Sequence, residues 1–252
     1  MTILLIDVGN TRTHAVLAEE RAFVARADWT TQRPGEAADR PPPLLKGKAL
    51  DRIRIASVRP SVRDAIAAAL RLPGWPEPKF FGTDLPVPIP NRTREPGAVG
   101  VDRLLVALAA HRRARGAAVA VGVGSAVTLN VVSPAGEFLG GAIAPGLPAA
   151  ARALAQVCEQ LPEVPPAAPT SVIGRTTVEA IQAGLVAGTA GLIEGLLRRT
   201  LEELGRPARV FATGGDAALL APLVPRIEEV LPDLVFEGML MADGGPDLRF
   251  EI

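Results

Sequence analysis

Three short segments of this sequence set glycine beside small hydroxyl or amide side chains: Asp7-Val8-Gly9-Asn10-Thr11, Gly122-Val123-Gly124-Ser125 and Thr213-Gly214-Gly215. Glycine lets a backbone come close, and the neighbouring N–H and hydroxyl groups donate hydrogen bonds, which is what phosphate oxygens require. Each segment alone also describes an ordinary hairpin turn. Together, in a chain that mixes strands and helices, they suggest a nucleotide held by several loops. Neither G-x-x-x-x-G-K-[ST] nor G-x-G-x-x-G follows a strand, which disfavours P-loop and Rossmann readings.

Two acids accompany these turns. Asp7 ends an apolar run, where an unpaired carboxylate is costly, so it reads either as an Asx-turn acceptor or as a group facing a cleft, with a Mg²⁺ held through water. Asp102, in Gly100-Val101-Asp102-Arg103, opens a helix. It is either an acid complementing the helix dipole or a general base with Arg103 beside it to bind an anion. Ser125 is not in a G-x-S-x-G elbow, and with only His14 and His111 a Ser-His-Asp triad is not supported. Cys158 is expected to be buried packing in an amphipathic helix, and the two histidines structural or solvent-facing.

The elements that must position these groups are legible from periodicity. Strand signals run over Ile3 to Ile6, His14 to Ala18, Arg52 to Val58, Ala117 to Val123, Val127 to Val132 and Arg209 to Ala212, with a short strand near Phe80. Helical patterns cover Ser61 to Leu70, Val101 to Arg115, Pro145 to Gln160, Thr177 to Leu204 and a segment ending near Leu223. Residues 34–45 and 162–169 read as loops, and the proline-dense stretch from Pro73 to Pro96 as a loop that joins domains or lines a site. The interleaving predicts an α/β class. A shift of 115 residues sets Asp7-Val8-Gly9-Asn10 on Gly122-Val123-Gly124-Ser125, Thr13 on Thr128 and Val16 on Val131, as two halves on one plan or as a chance likeness of hairpins would. Two such halves would face each other across a cleft.

Composition narrows the function classes. Of 252 residues, 48% are hydrophobic and 21% charged, and 27 basic side chains balance 27 acidic ones, so there is no whole-chain field to recruit nucleic acid or anionic lipid. The single cysteine excludes an intramolecular disulfide framework and a Cys-rich metal site, and suits a reducing compartment. No run of about 18 apolar residues is uninterrupted and no leader pattern opens the chain, so a cytoplasmic protein is expected. Tyrosine is absent and lysine is limited to Lys46, Lys48 and Lys79.

The motifs resemble those of type III pantothenate kinase. The resemblance rests on Asp7-Val8-Gly9-Asn10-Thr11, Ala56-Ser57-Val58, Gly100-Val101-Asp102-Arg103, Gly140-Gly141-Ala142-Ile143-Ala144-Pro145-Gly146, Gly174-Arg175-Thr176-Thr177 with Ile181-Gln182-Ala183-Gly184, and Thr213-Gly214-Gly215, in the family's order and spacing. It implies two ribonuclease-H-like (actin-like) lobes with a nucleotide cleft between them, an N-terminal lobe over 1–115 and a C-terminal lobe over 116–252. It also implies a homodimer that uses ATP and Mg²⁺ to phosphorylate the primary hydroxyl of pantothenate, the first step of coenzyme A synthesis. By resemblance Asp102 is the catalytic base and Asp7 the acid near the metal. Gly9, Asn10 and Thr11 form the first phosphate loop, Gly124, Ser125 and Thr128 belong to the second, and Gly214 and Gly215 form the nucleotide-side turn. Gly100 and Arg103 match the pantothenate pocket, and Thr177 a threonine contributed across the dimer.

Two positions depart from the family's pattern. Gly122 stands where the second loop normally carries an Asp associated with a monovalent cation, K⁺ or NH₄⁺, and Thr93 stands where the pantothenate pocket normally has a Tyr. The expected activity is therefore a pantothenate kinase with altered cation use. A non-catalytic binding or regulatory protein on the same scaffold, or a kinase for another small hydroxy acid, are the alternatives.

Overall fold

The computed structural model describes residues 1–20, 22–32, 47 and 49–244. The loop expected over 34–45 lies outside them. The chain divides into two compact units, one of residues 1–89, 95–109 and 234–252, the other of residues 90–94 and 110–233.

The sheet of the first unit contains β1 (Thr2–Val8), β2 (Arg12–Glu19), β3 (Ala22–Thr30), β4 (Arg52–Ser57) and β5 (Pro78–Phe80), in the order β3-β2-β1-β4-β5. β1, β2 and β3 form an antiparallel meander, while β4 pairs parallel to β1 and β5 parallel to β4. β1 is apolar throughout because both of its faces are covered. Leu4, Ile6 and Val8 pack with Ile66 and Leu70 of α1 (Pro60–Leu70), and Ile3 and Leu5 pack with Val101 and Leu105 of α2 (Val101–Ala114). The C-terminal helix α6 (Leu234–Ala242) joins that second layer through Phe236, Met239 and Leu240. Asp243, just beyond it, is buried against Arg52 and Arg54, with Arg52 Nη1 at 2.8 Å from its carboxylate.

The sheet of the second unit contains β6 (Ala118–Val123), β7 (Ala126–Val132), β8 (Phe138–Pro145), β9 (Arg209–Thr213) and β10 (Glu229–Val230), in the order β8-β7-β6-β9-β10. One face carries Val119, Val121, Val123, Val127, Leu129 and Val131. It buries them under α3 (Leu147–Val157) and the apolar side of α4 (Thr177–Leu204), formed by Ile181, Leu185, Val186, Ile193 and Leu197. α4 starts at a capping box between Thr176 and Glu179 and stops at Gly205, whose left-handed backbone closes the last turn. Among the described residues it is the one helix long and apolar enough to cross a membrane by length and composition.

The two sheets have the same strand order and the same mixture of pairings, which is the duplication the sequence hints at. The registers correct one detail. Asp7 pairs with His14 in the first hairpin and Gly122 with Thr128 in the second, whose turn is one residue shorter. Thr128 therefore takes the place of His14, not that of Thr13. β3, β8, the two-residue β10 and α6 have no counterpart among the elements that the periodicity predicts.

Candidate functional site

Asp7 lies next to the end of β1, on the face that carries Ile3 and Leu5 beneath α2. Its carboxylate accepts no hydrogen bond from the described residues, which argues against the Asx-turn reading. Burial, and secondarily the charge of Asp102, raise its pKa to about 7, so near neutrality it is partly protonated.

Asp102 is in the first turn of α2. Gly100 makes room for it: a Cβ on Gly100 would stand 2.5 Å from Asp102 Oδ1. Burial raises the Asp102 pKa, while the backbone N–H groups of Arg103 and of Asp102 itself, together with the Arg103 guanidinium, favour the anion. Burial lowers the Arg103 pKa and the charge of Asp102 opposes that fall. The result is one carboxylate held by donors beside another held by none. Such a pair can accept a proton at Asp102 and attract a cation at Asp7.

The first turn is fixed through its backbone. Gly9 N donates to Arg12 O at 3.0 Å, the Arg59 guanidinium donates to Asn10 O at 2.9 Å, and Thr31 N donates to Thr11 O at 3.1 Å. The side chains of Asn10 and Thr11 are exposed. Gly9, Asn10, Thr11, Gly100, Asp102 and Arg103 thus belong with Asp7 to the first unit.

Gly124, Ser125, Thr128, Gly214 and Gly215 belong to the second unit and are brought together there. Asp216 N donates to Val123 O at 3.2 Å and Gly146 N to Ser125 O at 3.2 Å. Gly214, with φ +99°, presses so closely on the backbone of Val123 that no side chain fits. Behind this turn Gly122 faces Thr128 across the hairpin, and Thr128 Oγ1 lies 2.6 Å from where a Cβ on Gly122 would be. Asn130 Nδ2 donates to Thr128 Oγ1 at 3.2 Å and to Ala120 O at 3.3 Å.

Two residues of this region escaped the sequence reading. Asn130 is 1% exposed inside a valine-rich strand, and a buried amide in such a run was the available signal. Asp216 follows Gly215, makes no side-chain cap on the short helix α5 (Ala217–Leu220), and has its pKa raised by burial. Nothing in its local sequence separates it from an ordinary helix-capping acid.

Thr93, in the second unit, donates its hydroxyl to Asn91 Oδ1 at 2.8 Å and lies against Gly140. Thr177 is exposed at the first position of α4. Of the other carboxylates, Glu137 is taken by Arg92 at 2.6 Å and by Ser133, and Glu19 ends β2 in the first unit at the end away from the turn. Cys158 is not buried packing as expected: it is the partly exposed residue that ends α3, next to a largely exposed Val157. His111 is structural, its Nδ1 2.9 Å from Gly116 O.

Comparison with known proteins adds an independent line. A model of the type III pantothenate kinase family matches residues 3–199. Curated proteins named type III pantothenate kinase are similar over nearly their whole length. The one from Anaeromyxobacter sp. (strain K) is 37% identical, covering 94% of this chain and 96% of that one, and the one from Akkermansia muciniphila is 37% identical, covering 97% and 99%. Among solved structures, a Baf family protein from Campylobacter jejuni has a TM-score of 0.64 at 18% identity, covering 96% of this chain and 97% of that one. The (R)-2-hydroxyglutaryl-CoA dehydratase component A from Acidaminococcus fermentans has a TM-score of 0.55 at 15% identity, covering 96% of each. At these identities the structural likeness concerns the fold alone.

Proposed function

The chain belongs to the type III pantothenate kinase family, and from that premise we propose how its residues divide the work of phosphorylating pantothenate with ATP, the entry to coenzyme A synthesis. The observation that carries the proposal is the unequal carboxylate pair, Asp102 held by backbone donors and Arg103, Asp7 held by none.

Asp102 is the base. As the primary hydroxyl oxygen of pantothenate forms its bond to the γ-phosphorus, Asp102 takes the hydroxyl proton, and the bond from phosphorus to the bridging oxygen breaks with its electron pair leaving on ADP. Gly100 and Arg103 hold the substrate, with Arg103 supplying the positive charge for its carboxylate. Thr93 and Thr177 complete the recognition of pantothenate, Thr177 from a second copy of the chain. Gly9, Asn10 and Thr11 bind phosphate oxygens from the first hairpin; Gly124, Ser125 and Thr128 do so from the second. Gly214 and Gly215 give the nucleotide a side-chain-free surface.

Mg²⁺ fits Asp7. A half-buried carboxylate without a donor, raised to about 7, is stabilised as an anion by a divalent cation, and one carboxylate with phosphates and water is an ordinary Mg²⁺ environment. When bound, the ion neutralises charge on the transferring phosphates. A monovalent cation does not fit the second hairpin in the same way, since Gly122 offers no carboxylate and its side-chain space holds the Thr128 hydroxyl.

A homodimer belongs to the same reading. It is supported by the exposed row of Ala180, Gly184, Gly188, Gly191 and Leu192 on α4, on the side away from its packed face. A cytoplasmic setting is supported by the lone, unpaired Cys158. Purified protein with Mg²⁺, ATP and labelled pantothenate is expected to form phosphopantothenate and ADP in equal amounts; absence of both products overturns the assignment.

A further inference from the structure

The second hairpin is built around a hydroxyl donor. The amide of Asn130, 1% exposed, gives one proton to Ala120 O and the other to Thr128 Oγ1. With its oxygen accepting from Asn130, the Thr128 hydroxyl has its own proton to give, and an anionic oxygen is the natural acceptor. The space a side chain at position 122 would use is the space this hydroxyl occupies, at 2.6 Å from the would-be Cβ.

The same turn offers a cation no carboxylate at position 122. The carbonyl of Val123 accepts from Asp216 N, that of Ser125 from Gly146 N, and that of Ala126 from Gly124 N. A weakly held monovalent ion needs several converging oxygens with an anionic one among them to compete with water, and here the carboxylate position is a glycine while three of the carbonyls already each accept a hydrogen bond.

We propose that this chain binds the nucleotide's phosphates at the second hairpin directly, through the Thr128 hydroxyl held by Asn130, and that it turns over without a monovalent cation. A carboxylate in this place would repel the phosphates and need a cation to bridge them; a hydroxyl donor makes the contact by itself. The inference rests on the kinase reading, so its test needs a readout besides turnover.

Binding of a non-hydrolysable ATP analogue with Mg²⁺ is measured by calorimetry in tetramethylammonium, potassium and ammonium chloride at matched ionic strength, alongside initial rates of phosphopantothenate formation. Affinities, and rates where there is turnover, are expected to agree within about twofold across the salts. Thr128→Val, which keeps the shape and removes the donor, is expected to weaken the analogue roughly tenfold or more in every salt, and Thr128→Ser to restore most of that loss. Circular dichroism and melting of each variant separate a binding defect from a folding one. A fall of about tenfold or more in affinity when potassium is replaced by tetramethylammonium overturns the proposal while leaving the kinase reading intact. If that dependence vanishes in Asp216→Asn, the missing acid has been supplied from the neighbouring turn. Salt-independent binding with no phosphopantothenate in any salt upholds the binding mode, refutes turnover and overturns the kinase reading. Equal binding by wild type and Thr128→Val removes Thr128 from the contact.

Discussion

The first hairpin, β1 to β2, and the second, β6 to β7, occupy the same place in two sheets of identical strand order, yet they do opposite electrostatic work. At the first, Asp7 is a carboxylate without a donor, pushed up to about 7 by burial and by Asp102. At the equivalent position of the second, Gly122 has no side chain, and the Thr128 hydroxyl, which accepts from Asn130 Nδ2, fills the space. The first arrangement disfavours a charge that a bound cation would relieve. The second has no such charge. On the proposed reading, a shared backbone plan constrains where a ligand's phosphates can be met, while the residue at one strand end decides whether a metal or a hydroxyl would meet them.

The largest effect expected from breaking this asymmetry is at Asp102. Asp102→Asn keeps the helix start and the space left by Gly100 but cannot take the hydroxyl proton. The turnover number is expected to fall by about 10²–10⁴-fold, in the range of a lost general base, with ATP affinity changed little. If the variant keeps turnover near the wild-type value while folded by circular dichroism, the base lies elsewhere and the comparison loses its chemical half.

The Asp7 carboxylate gives the next effect, in stability. A carboxyl group with a pKa of about 7 in the folded chain, against 3.8 as the reference for the unfolded one, keeps its proton in the fold across that interval. Its stabilising contribution is therefore full below about pH 4, falls as pH rises towards 7 and is flat beyond. Each tenfold difference in proton affinity between the folded and unfolded chain is worth about 1.4 kcal/mol. The difference between wild type and Asp7→Asn is thus expected to change by roughly 3–4 kcal/mol from pH 4 to pH 8, shared with its neighbour Asp102. Urea midpoints without Mg²⁺ measure it. A flat difference means that Asp7 is not a strained acid.

How much of this was visible in the sequence follows from the kind of signal each feature leaves. Turns leave glycine and small polar residues, so the loops at Asp7, Gly122 and Gly214 were legible, and the motif order carried Asp102 and Arg103 with them. β3 was missed because its alternation is diluted by Ala22, Ala25 and Ala27, and β8 because Gly140 and Gly141 weaken strand propensity. α6 was missed because it is apolar on nearly every side and lacks an amphipathic period, being covered in the second layer of the first unit. The Thr128–Asn130 pair could not be read, since the hairpin is one residue shorter than its counterpart and the sequence shift pairs Thr128 with Thr13, a buried residue bonded to Thr31. Register fixes which residues face each other, and a single deleted turn residue changes it.

Putting an acid into the second hairpin tests the comparison from the other side. In Gly122→Asp the new Cβ meets Thr128 Oγ1 at 2.6 Å, and the hydroxyl must rotate away from Asn130 to admit it. Overpacking of this kind costs about 1–3 kcal/mol, to which the unpaired charge adds. Removing the obstructing hydroxyl in Gly122→Asp/Thr128→Ala is expected to recover part of the steric loss, a coupling that a double-mutant cycle on urea midpoints reads directly. Strict additivity of the two substitutions would mean that the glycine and the hydroxyl do not share the space.

The smallest effect is expected at Glu137, the remaining acid of the second meander. It follows the β7–β8 turn, where Arg92 and Ser133 already occupy its oxygens and the Arg92 guanidinium, first by its hydrogen bond and then by its charge, holds its pKa below the usual carboxylate value. An acid committed to an exposed arginine cannot also substitute for the carboxylate missing at Gly122. Glu137→Gln is accordingly expected to move the urea midpoint little, as the loss of an exposed ion pair does, and to leave ATP affinity unchanged in every salt. If instead the variant loses nucleotide binding, the second hairpin has kept an acid after all, recruited from its own sheet, and the two halves of the molecule are more alike than the residues at 7 and 122 imply.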